Sequence, residues 1–120
     1  METKNQKILI VDDSAFMRTV LKNILENVGY HNFIEAGNGK EALEKIKEDG
    51  IELVLLDIIM PDMGGVELLK EIGNTHKVIM ISAVGQEKII EEAKSLGAKG
   101  YIIKPFDNKQ VESEVQNILG

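Results

Sequence analysis

The sequence contains no cysteine, so neither a disulfide framework nor thiolate chemistry is available to it. It has no apolar run near the roughly 20 residues that a membrane-spanning helix needs. Basic residues are in deficit: 14 lysines and arginines stand against 20 aspartates and glutamates, which gives a formal net charge of −6. A chain this acidic is a poor match for the phosphate backbone of DNA or RNA. These absences argue against a disulfide-rich, membrane-spanning or nucleic-acid-binding protein.

Two nucleotide-binding signatures are missing as well. There is no G-x-x-x-x-G-K-[ST] loop, and no G-x-G-x-x-G follows the first apolar run. Residues 1–6 are polar and lack the apolar core of a signal peptide, so we expect a cytoplasmic protein. No proline-, glycine- or serine-rich linker and no low-complexity segment interrupts the 120 residues. We therefore expect a single domain over residues 1–120.

Four short runs are apolar at nearly every position, which is typical of strands covered on both faces of a parallel sheet. They lie at residues 7–11, 52–56, 77–81 and 101–103, and a more alternating run at 31–35 is expected nearer an edge. Helical stripes fill the gaps, beginning with Met17, Val20, Leu21 and Ile24. Five β–α units in succession predict a doubly wound α/β fold, with a five-stranded parallel sheet and five helices on its two faces.

Polar residues follow the predicted strands where these end. Strand one is followed by Asp12 and Asp13, strand three by Asp57, strand four by Ser82 and strand five by Lys104. Right-handed crossovers place the carboxyl ends of all parallel strands at the same edge of the sheet, where such sheets bind ligands. We therefore expect these five side chains to converge at one site.

Three carboxylates at one site raise one another's pKa and favour a bound cation, and hard oxygen ligands suit Mg²⁺. With an ammonium and a hydroxyl beside them, the site is suited to a phosphoryl group, whose transfer needs mainly positioning and charge neutralisation. One of the carboxylates is then a candidate acceptor, because aspartyl phosphate is a known type of covalent intermediate.

Each of these residues also has an ordinary structural interpretation. Asp12 and Asp13 are acids of the kind that cap a helix. Asp57 could be a turn residue, Ser82 a loop hydroxyl that satisfies the backbone, and Lys104 a solvated surface charge. The shared sheet edge favours the functional interpretation, because it applies to all five residues together.

Four sequence blocks resemble the response-regulator receiver family. They are ILIVDDS at 8–14, DIIMPDMGG at 57–65, ISA at 81–83 and KPF at 104–106. They occur in the family's order and spacing, and together they extend over essentially the whole chain. Within the family, residues 13–18 and 82–86 look most like the free-standing chemotaxis regulators. The resemblance implies the flavodoxin-like strand order 2-1-3-4-5.

The resemblance also implies roles at the matched positions. Asp57 is implied as the phospho-acceptor, which takes its phosphoryl group from a phosphohistidine of a histidine kinase. Asp13 and Asp57 are implied to bind Mg²⁺ through their side chains and Ile59 through its main-chain carbonyl. Asp12 is implied to hold the ion mainly through water.

In the same way, Lys104 is implied to pair with one phosphoryl oxygen and Ser82 with another, and the Lys104–Pro105 bond is implied to be cis. On phosphorylation Ser82 would move inward, and Tyr101 would turn toward the vacated space. The surface of helix four, strand five and helix five would then change its preferred partner. The alternative for Tyr101 is a half-exposed aromatic residue at the edge of the sheet.

The implied protein is a regulator that catalyses only its own phosphorylation and dephosphorylation. The chain ends directly after the fifth helix, so we expect output through a partner protein, either a motor switch or an adaptor to it. We expect a monomer. Ile59 is apolar at a position that is often polar in the family, Val84 is apolar too, and both are expected to flank the phosphorylation site. We expect them to hinder the hydrolytic water, so that the phosphoryl group on Asp57 persists longer.

Three other functions stay open at this point. A phosphohydrolase of the haloacid-dehalogenase kind also uses an aspartate nucleophile and Mg²⁺, although its usual D-x-D pair is here the adjacent Asp12 and Asp13. A scaffold would bind partners whatever its phosphorylation state. A receiver of another pathway, such as a relay or a developmental regulator, is poorly separated from a chemotaxis regulator by sequence.

Overall fold

The computed structural model describes residues 4–48, 50–58, 60, 64–83 and 86–119. Strands and helices alternate along the chain: β1 (Lys4–Val11), α1 (Ala15–Glu26), β2 (Tyr30–Ala36), α2 (Gly39–Lys45), β3 (Ile51–Asp57), α3 (Gly65–Ile72), β4 (Val78–Ala83), α4 (Glu87–Ser95), β5 (Gly100–Lys104) and α5 (Asn108–Leu119). All strand pairs are parallel, in the order β2-β1-β3-β4-β5. The predicted doubly wound fold and strand order are confirmed, and the alternating strand β2 lies at an edge. None of the described helices has the length and apolar character needed to cross a bilayer.

The sheet separates two apolar layers, which explains why its central strands are apolar at nearly every position. Successive residues of a strand point to opposite faces, so neighbours in β1 and β3 enter different layers. The layer under α1 and α5 includes Ile8, Ile10, Leu21, Leu25, Leu53, Leu55, Val111 and Val115. The layer under α2, α3 and α4 includes Leu9, Ala42, Val54, Leu56, Leu68, Leu69, Met80 and Ala93. Both faces are thus fully packed, and the carboxyl edge of the sheet is held between them.

Side chains cap the starts of two helices. Asn38 accepts a hydrogen bond from the amide of Glu41 through Oδ1 at 2.8 Å. Asp107 and Gln110 form a reciprocal capping box, in which each side-chain oxygen accepts from the other's amide, at 2.8 and 3.0 Å. These bonds satisfy amides that a helix leaves unpaired at its first turn. The starts of α2 and α5 are therefore set by short sequence motifs.

The start of α3 lies directly against the end of β3. The amide of Gly65 donates to the carbonyl oxygen of Ile58 at 2.7 Å. A Cβ at position 65 would lie 2.5 Å from the carbonyl oxygen of Asp57, whereas a Cβ on Gly64 would meet no described atom within 4 Å. Glycine is therefore required at position 65, because a side chain there would displace the backbone that carries Asp57.

Gly65→Ala should destabilise the protein by about 1–3 kcal/mol, because the added methyl group must push backbone atoms apart. The neighbouring Gly64→Ala is the matched control and should change the free energy of unfolding by no more than about 0.5 kcal/mol. Urea unfolding of the two variants measures the difference. Equal stabilities would show that the start of α3 does not press on β3 as described.

Candidate functional site

Three carboxylates meet at the carboxyl edge of the sheet. Asp12 follows the last residue of β1, and Asp57 ends the neighbouring strand β3. Asp12, Asp13 and Asp57 offer oxygens that all lie within 4.8 Å of one another. Asp12 is 2% and Asp57 8% exposed, whereas Asp13 is exposed. The strand order reverses between β1 and β3, which is where sheets of this kind form a binding crevice. The structure thus brings together the three acids that are predicted from the sequence to lie at this edge.

Lys104 reaches these acids from β5, the edge strand two positions away from β3. It is the last residue of β5, and β4 separates it from β3. Adjacent strands are about 4.8 Å apart, so the long side chain extends across β4. Its Nζ lies 3.4 Å from Asp57 Oδ2 and 3.7 Å from Asp12 Oδ2. Both distances are long for a hydrogen bond, so the ammonium acts on the two acids mainly by its charge. The peptide bond from Lys104 to Pro105 is cis, as the resemblance implies.

Ser82 lies in β4, between the strands that carry Asp57 and Lys104. It is 2% exposed, and its Oγ has no hydrogen-bond partner among the described residues. A buried hydroxyl without a partner costs about 1–3 kcal/mol, so a ligand oxygen at this point would be bound favourably. The next residue is tied to the start of α4, because Gln86 Oε1 accepts from the amide of Ala83 at 2.6 Å. The serine hydroxyl is therefore available for a ligand at the same edge as the acids.

The helix-capping interpretation accounts for Ser14 rather than for the two acids. Ser14 is the N-cap of α1, and its Oγ accepts from the amide of Met17 at 3.2 Å. Asp12 Oδ1 accepts from the amide of Ser14 at 2.9 Å, which closes the turn between β1 and α1. Asp12 Oδ2, on the side of Lys104, has no hydrogen bond within the described part of the chain. Capping thus leaves Asp13 and one oxygen of Asp12 without an explanation.

The donor set fits a small divalent cation. All its ligand atoms are carboxylate oxygens, two of the acids are buried, and one lysine cannot balance three carboxylates. Mg²⁺ is bound in proteins by one or two carboxylates and retained waters, together with phosphate oxygens. The exposed Asp13 leaves the cluster open to solvent on one side. The arrangement can therefore hold Mg²⁺ and present a carboxylate, an ammonium and a hydroxyl to a phosphoryl group.

An ion-pair cluster beside the acids was not anticipated from the sequence. Arg18 donates from Nη1 to the carbonyl oxygen of Asp12 at 2.5 Å and from Nε to Glu35 Oε1 at 2.9 Å. Lys22 donates to Glu35 Oε2 at 2.9 Å. The hydrogen bond from Lys22, together with that from Arg18, lowers the pKa of Glu35, while burial opposes the shift. The one signal in the sequence is the spacing of Arg18 and Lys22, four residues apart on one helix face.

Tyr101 lies on the surface in this structure. It belongs to the edge strand β5 and is 40% exposed. Lys94 Nζ, from α4, lies 5.0 Å from the centre of its ring. In this structure Tyr101 is thus a half-exposed aromatic residue at the edge of the sheet, which is the alternative interpretation of this position. Ile59 and Val84 lie outside the described residues, so the main-chain metal ligand and the two apolar flanking positions stay predictions.

An apolar groove lies beside Lys104. Phe16, in the first turn of α1, is 76% exposed. It faces a groove of about 470 Å³, which is lined by Phe16, Met17, Val20, Lys104, Pro105 and Phe106. The groove therefore shares Lys104 with the acidic cluster.

A doubly wound sheet with these acids, hydroxyl and lysine at one edge defines a class of protein. The chain belongs to the response regulator receiver domain family, whose sequence profile matches residues 8–116. It is 43% identical to the chemotaxis protein CheY of Thermotoga maritima and 44% identical to that of Bacillus subtilis, in each case over 116 residues. Both alignments extend over 94% of this chain and 97% of the relative. The solved structure of the Vibrio cholerae chemotaxis protein CheY4 gives a TM-score of 0.87 at 28% identity, over 97% of this chain and 100% of that one.

Lys104→Met should bind Mg²⁺ roughly tenfold more tightly than the natural chain, because it removes a positive charge from within 4 Å of two of the three candidate ligand acids. Calorimetric titration with MgCl₂ measures this. Lys70→Met, which removes the same charge from the exposed side of α3, is the control and should leave the affinity unchanged. A Lys104→Met affinity equal to or below that of the natural chain would contradict the pairing of Lys104 with a metal-binding cluster.

Proposed function

We propose that the chain is a phospho-accepting response regulator of bacterial chemotaxis, and that Asp57 takes a phosphoryl group from a phosphohistidine of a CheA-like histidine kinase. The observation that carries the proposal is the convergence of Asp12, Asp13 and Asp57 with Lys104 at one sheet edge, in a chain of the receiver family. The chemotaxis assignment is supported by the CheY relatives, to which the chain is similar over most of its length.

The proposed reaction moves one phosphoryl group between two proteins. A carboxylate oxygen of Asp57 attacks phosphorus, the P–N bond of the phosphohistidine breaks, and its electron pair leaves with the imidazole. The product is an acyl phosphate on Asp57. Negative charge accumulates on the transferred group, so the site must neutralise charge and fix geometry more than it must do covalent chemistry.

The residues around Asp57 divide this work. Bound Mg²⁺ would supply charge neutralisation and orientation of the phosphoryl oxygens. Asp13 and Asp57 would hold it through their side chains, Ile59 through its carbonyl, and Asp12 mainly through water. Lys104, already 3.4 Å from Asp57 Oδ2, would pair with a phosphoryl oxygen.

The buried hydroxyl of Ser82 would donate to another phosphoryl oxygen. The same residues would serve the reverse step, hydrolysis of the acyl phosphate, so the chain would act catalytically only on itself. The apolar Ile59 and Val84 would slow that hydrolysis.

Acetyl phosphate with Mg²⁺ should add one phosphoryl group to the natural chain, and Asp57→Asn should abolish the addition, because the amide cannot act as the nucleophile. Intact-protein mass spectrometry measures the label. Glu67→Gln, an exposed acid of the first turn of α3, is the control and should be labelled as the natural chain is. Omission of Mg²⁺ should also prevent labelling. A full label on Asp57→Asn would show that another residue is the acceptor.

We also propose that phosphorylation shifts the population of two states through Ser82 and Tyr101. Inward movement of the Ser82 hydroxyl breaks no hydrogen bond with the described residues. The contact between Lys94 and the exposed Tyr101 ring is worth only about 0.5–1 kcal/mol, so the ring can leave it at low cost. An inward turn of Tyr101 would change the surface formed by α4, β5 and α5, which is the proposed output face.

Tyrosine fluorescence tests this switch, because the chain has two tyrosines and no tryptophan. Tyr30→Phe makes Tyr101 the only tyrosine, and it removes only a buried hydroxyl that lacks a hydrogen bond within the described chain. In this variant, beryllofluoride with Mg²⁺, a mimic of the acyl phosphate, should lower acrylamide quenching as Tyr101 becomes buried. Adding Asp57→Asn should remove the effect. Unchanged quenching in the Tyr30→Phe chain would show that Tyr101 does not turn inward.

The output partner is proposed to be a motor switch protein or an adaptor to it, reached in the cytoplasm by a monomeric regulator. Capture of partners with the natural chain, with and without beryllofluoride, identifies the protein that prefers the activated state. Capture of a relay protein in place of a motor component would assign the chain to a pathway other than chemotaxis. Turnover of a generic phosphate ester would instead favour the phosphohydrolase alternative. Beryllofluoride-independent binding would favour a scaffold.

A further inference from the structure

We infer that Arg18 is a positioning residue for the acidic site: it holds the main-chain carbonyl of Asp12 and so sets how Asp12 and Asp13 present their carboxylates to a divalent cation. The inference rests on the proposed magnesium site and adds a residue that does not itself touch the metal.

The contact acts on the peptide unit between the two acids. Arg18 Nη1 donates to the carbonyl oxygen of Asp12 at 2.5 Å, and the arginine side chain is only 17% exposed. That carbonyl belongs to the planar peptide that joins Asp12 to Asp13. Fixing the direction of the carbonyl therefore fixes the amide of Asp13 and the point from which its side chain begins.

Two other polar groups of Asp12 are also hydrogen-bonded. Its amide donates to the carbonyl oxygen of Ala36, in β2, at 3.1 Å, and its Oδ1 accepts from the amide of Ser14 at 2.9 Å. With the bond from Arg18, three contacts, one from β2 and two from the start of α1, orient this residue. Only Oδ2, which faces Lys104, is left to the site. Of these three contacts, the one from Arg18 is made by a long side chain.

Arg18 is itself held in place by Glu35. Its Nε donates to Glu35 Oε1 at 2.9 Å, and Lys22 Nζ lies 2.9 Å from Glu35 Oε2. The planar guanidinium can serve Glu35 and Asp12 at once, because its donors point in fixed directions. The carboxylate of Glu35 in β2 thus orients Arg18 in α1, and Arg18 in turn orients Asp12 at the end of β1. This chain of contacts joins β2, α1 and β1, and β1 is one of the two strands that flank the switch in strand order.

Charge and position predict opposite effects at Arg18. A positive side chain near a magnesium site repels the ion, so its removal would tighten Mg²⁺ binding if only charge mattered. Loss of the bond to the Asp12 carbonyl would weaken binding, because the carboxylates would be less well oriented. Residues that orient metal ligands without touching the metal commonly change affinity by about 10- to 100-fold. A fall in Mg²⁺ affinity when Arg18 is replaced therefore identifies a positioning role, and a rise identifies an effect of charge alone.

Lys22 provides a matched control within the same cluster. Arg18→Met and Lys22→Met each remove one positive charge and one contact to Glu35, but only Arg18→Met removes a contact to Asp12. Calorimetric titration of the full chain with MgCl₂ should show affinity at least about tenfold lower in Arg18→Met. Lys22→Met should bind as tightly as the natural chain or slightly more tightly. Circular dichroism and urea unfolding verify that each variant is folded under the titration conditions.

A second measurement separates orientation from general destabilisation. In ¹H–¹⁵N spectra recorded without Mg²⁺, Arg18→Met should shift the amide signal of Asp13, and Lys22→Met should leave it in place.

If the natural chain binds Mg²⁺, equal Mg²⁺ affinities for the two variants, or tighter binding by Arg18→Met, would overturn the inference. Absence of Mg²⁺ binding by the natural chain would overturn the magnesium site itself and the role of Arg18 with it. A natural chain that binds Mg²⁺ but takes no label on Asp57 would overturn the proposed function alone.

Discussion

Mutual repulsion of three carboxylates is the constraint around which this site is built. Asp12, Asp13 and Asp57 bring ligand oxygens within 4.8 Å of one another, and two of these acids are almost completely buried. Lys104 offsets part of the charge from across β4. The remaining negative charge favours a divalent cation, and a cation in turn makes it possible for an anionic phosphoryl group to approach a carboxylate. The acidity that argues against nucleic-acid binding for the chain as a whole is, at this edge, the source of the proposed chemistry.

The fold keeps these charges together without relying on contacts among them. Each site residue stands at or beside the end of a strand whose other residues are packed between two apolar layers. Separating the acids would require moving strands that are buried on both faces. Gly65 adds to this constraint, since the start of α3 presses on the backbone of Asp57 and Ile58. The proposed change on phosphorylation is therefore one of side chains, such as Tyr101 at the edge of the sheet, rather than of strands.

Much of this arrangement could be predicted from the sequence, because strand ends in a parallel sheet share one edge. The apolar runs located the strands, and Asp12, Asp57, Ser82 and Lys104 followed from their ends. Capping at Asn38 and Asp107 could be recognised because those contacts are local. The link from Glu35 through Arg18 to Asp12 could not, since it depends on β2 lying beside β1 and on the direction of one guanidinium. The need for glycine at position 65 depends likewise on how closely α3 approaches β3.

A structure determined with Mg²⁺ and beryllofluoride tests the central claim most directly, because it shows which carboxylate carries the phosphoryl mimic and what surrounds it. The account predicts beryllium bonded to a carboxylate oxygen of Asp57, a cation against the side chain of Asp13, and Lys104 Nζ and Ser82 Oγ each within hydrogen-bond distance of a different fluoride. An adduct on another acid, or a fluoride shell that Lys104 and Ser82 do not touch, would contradict it.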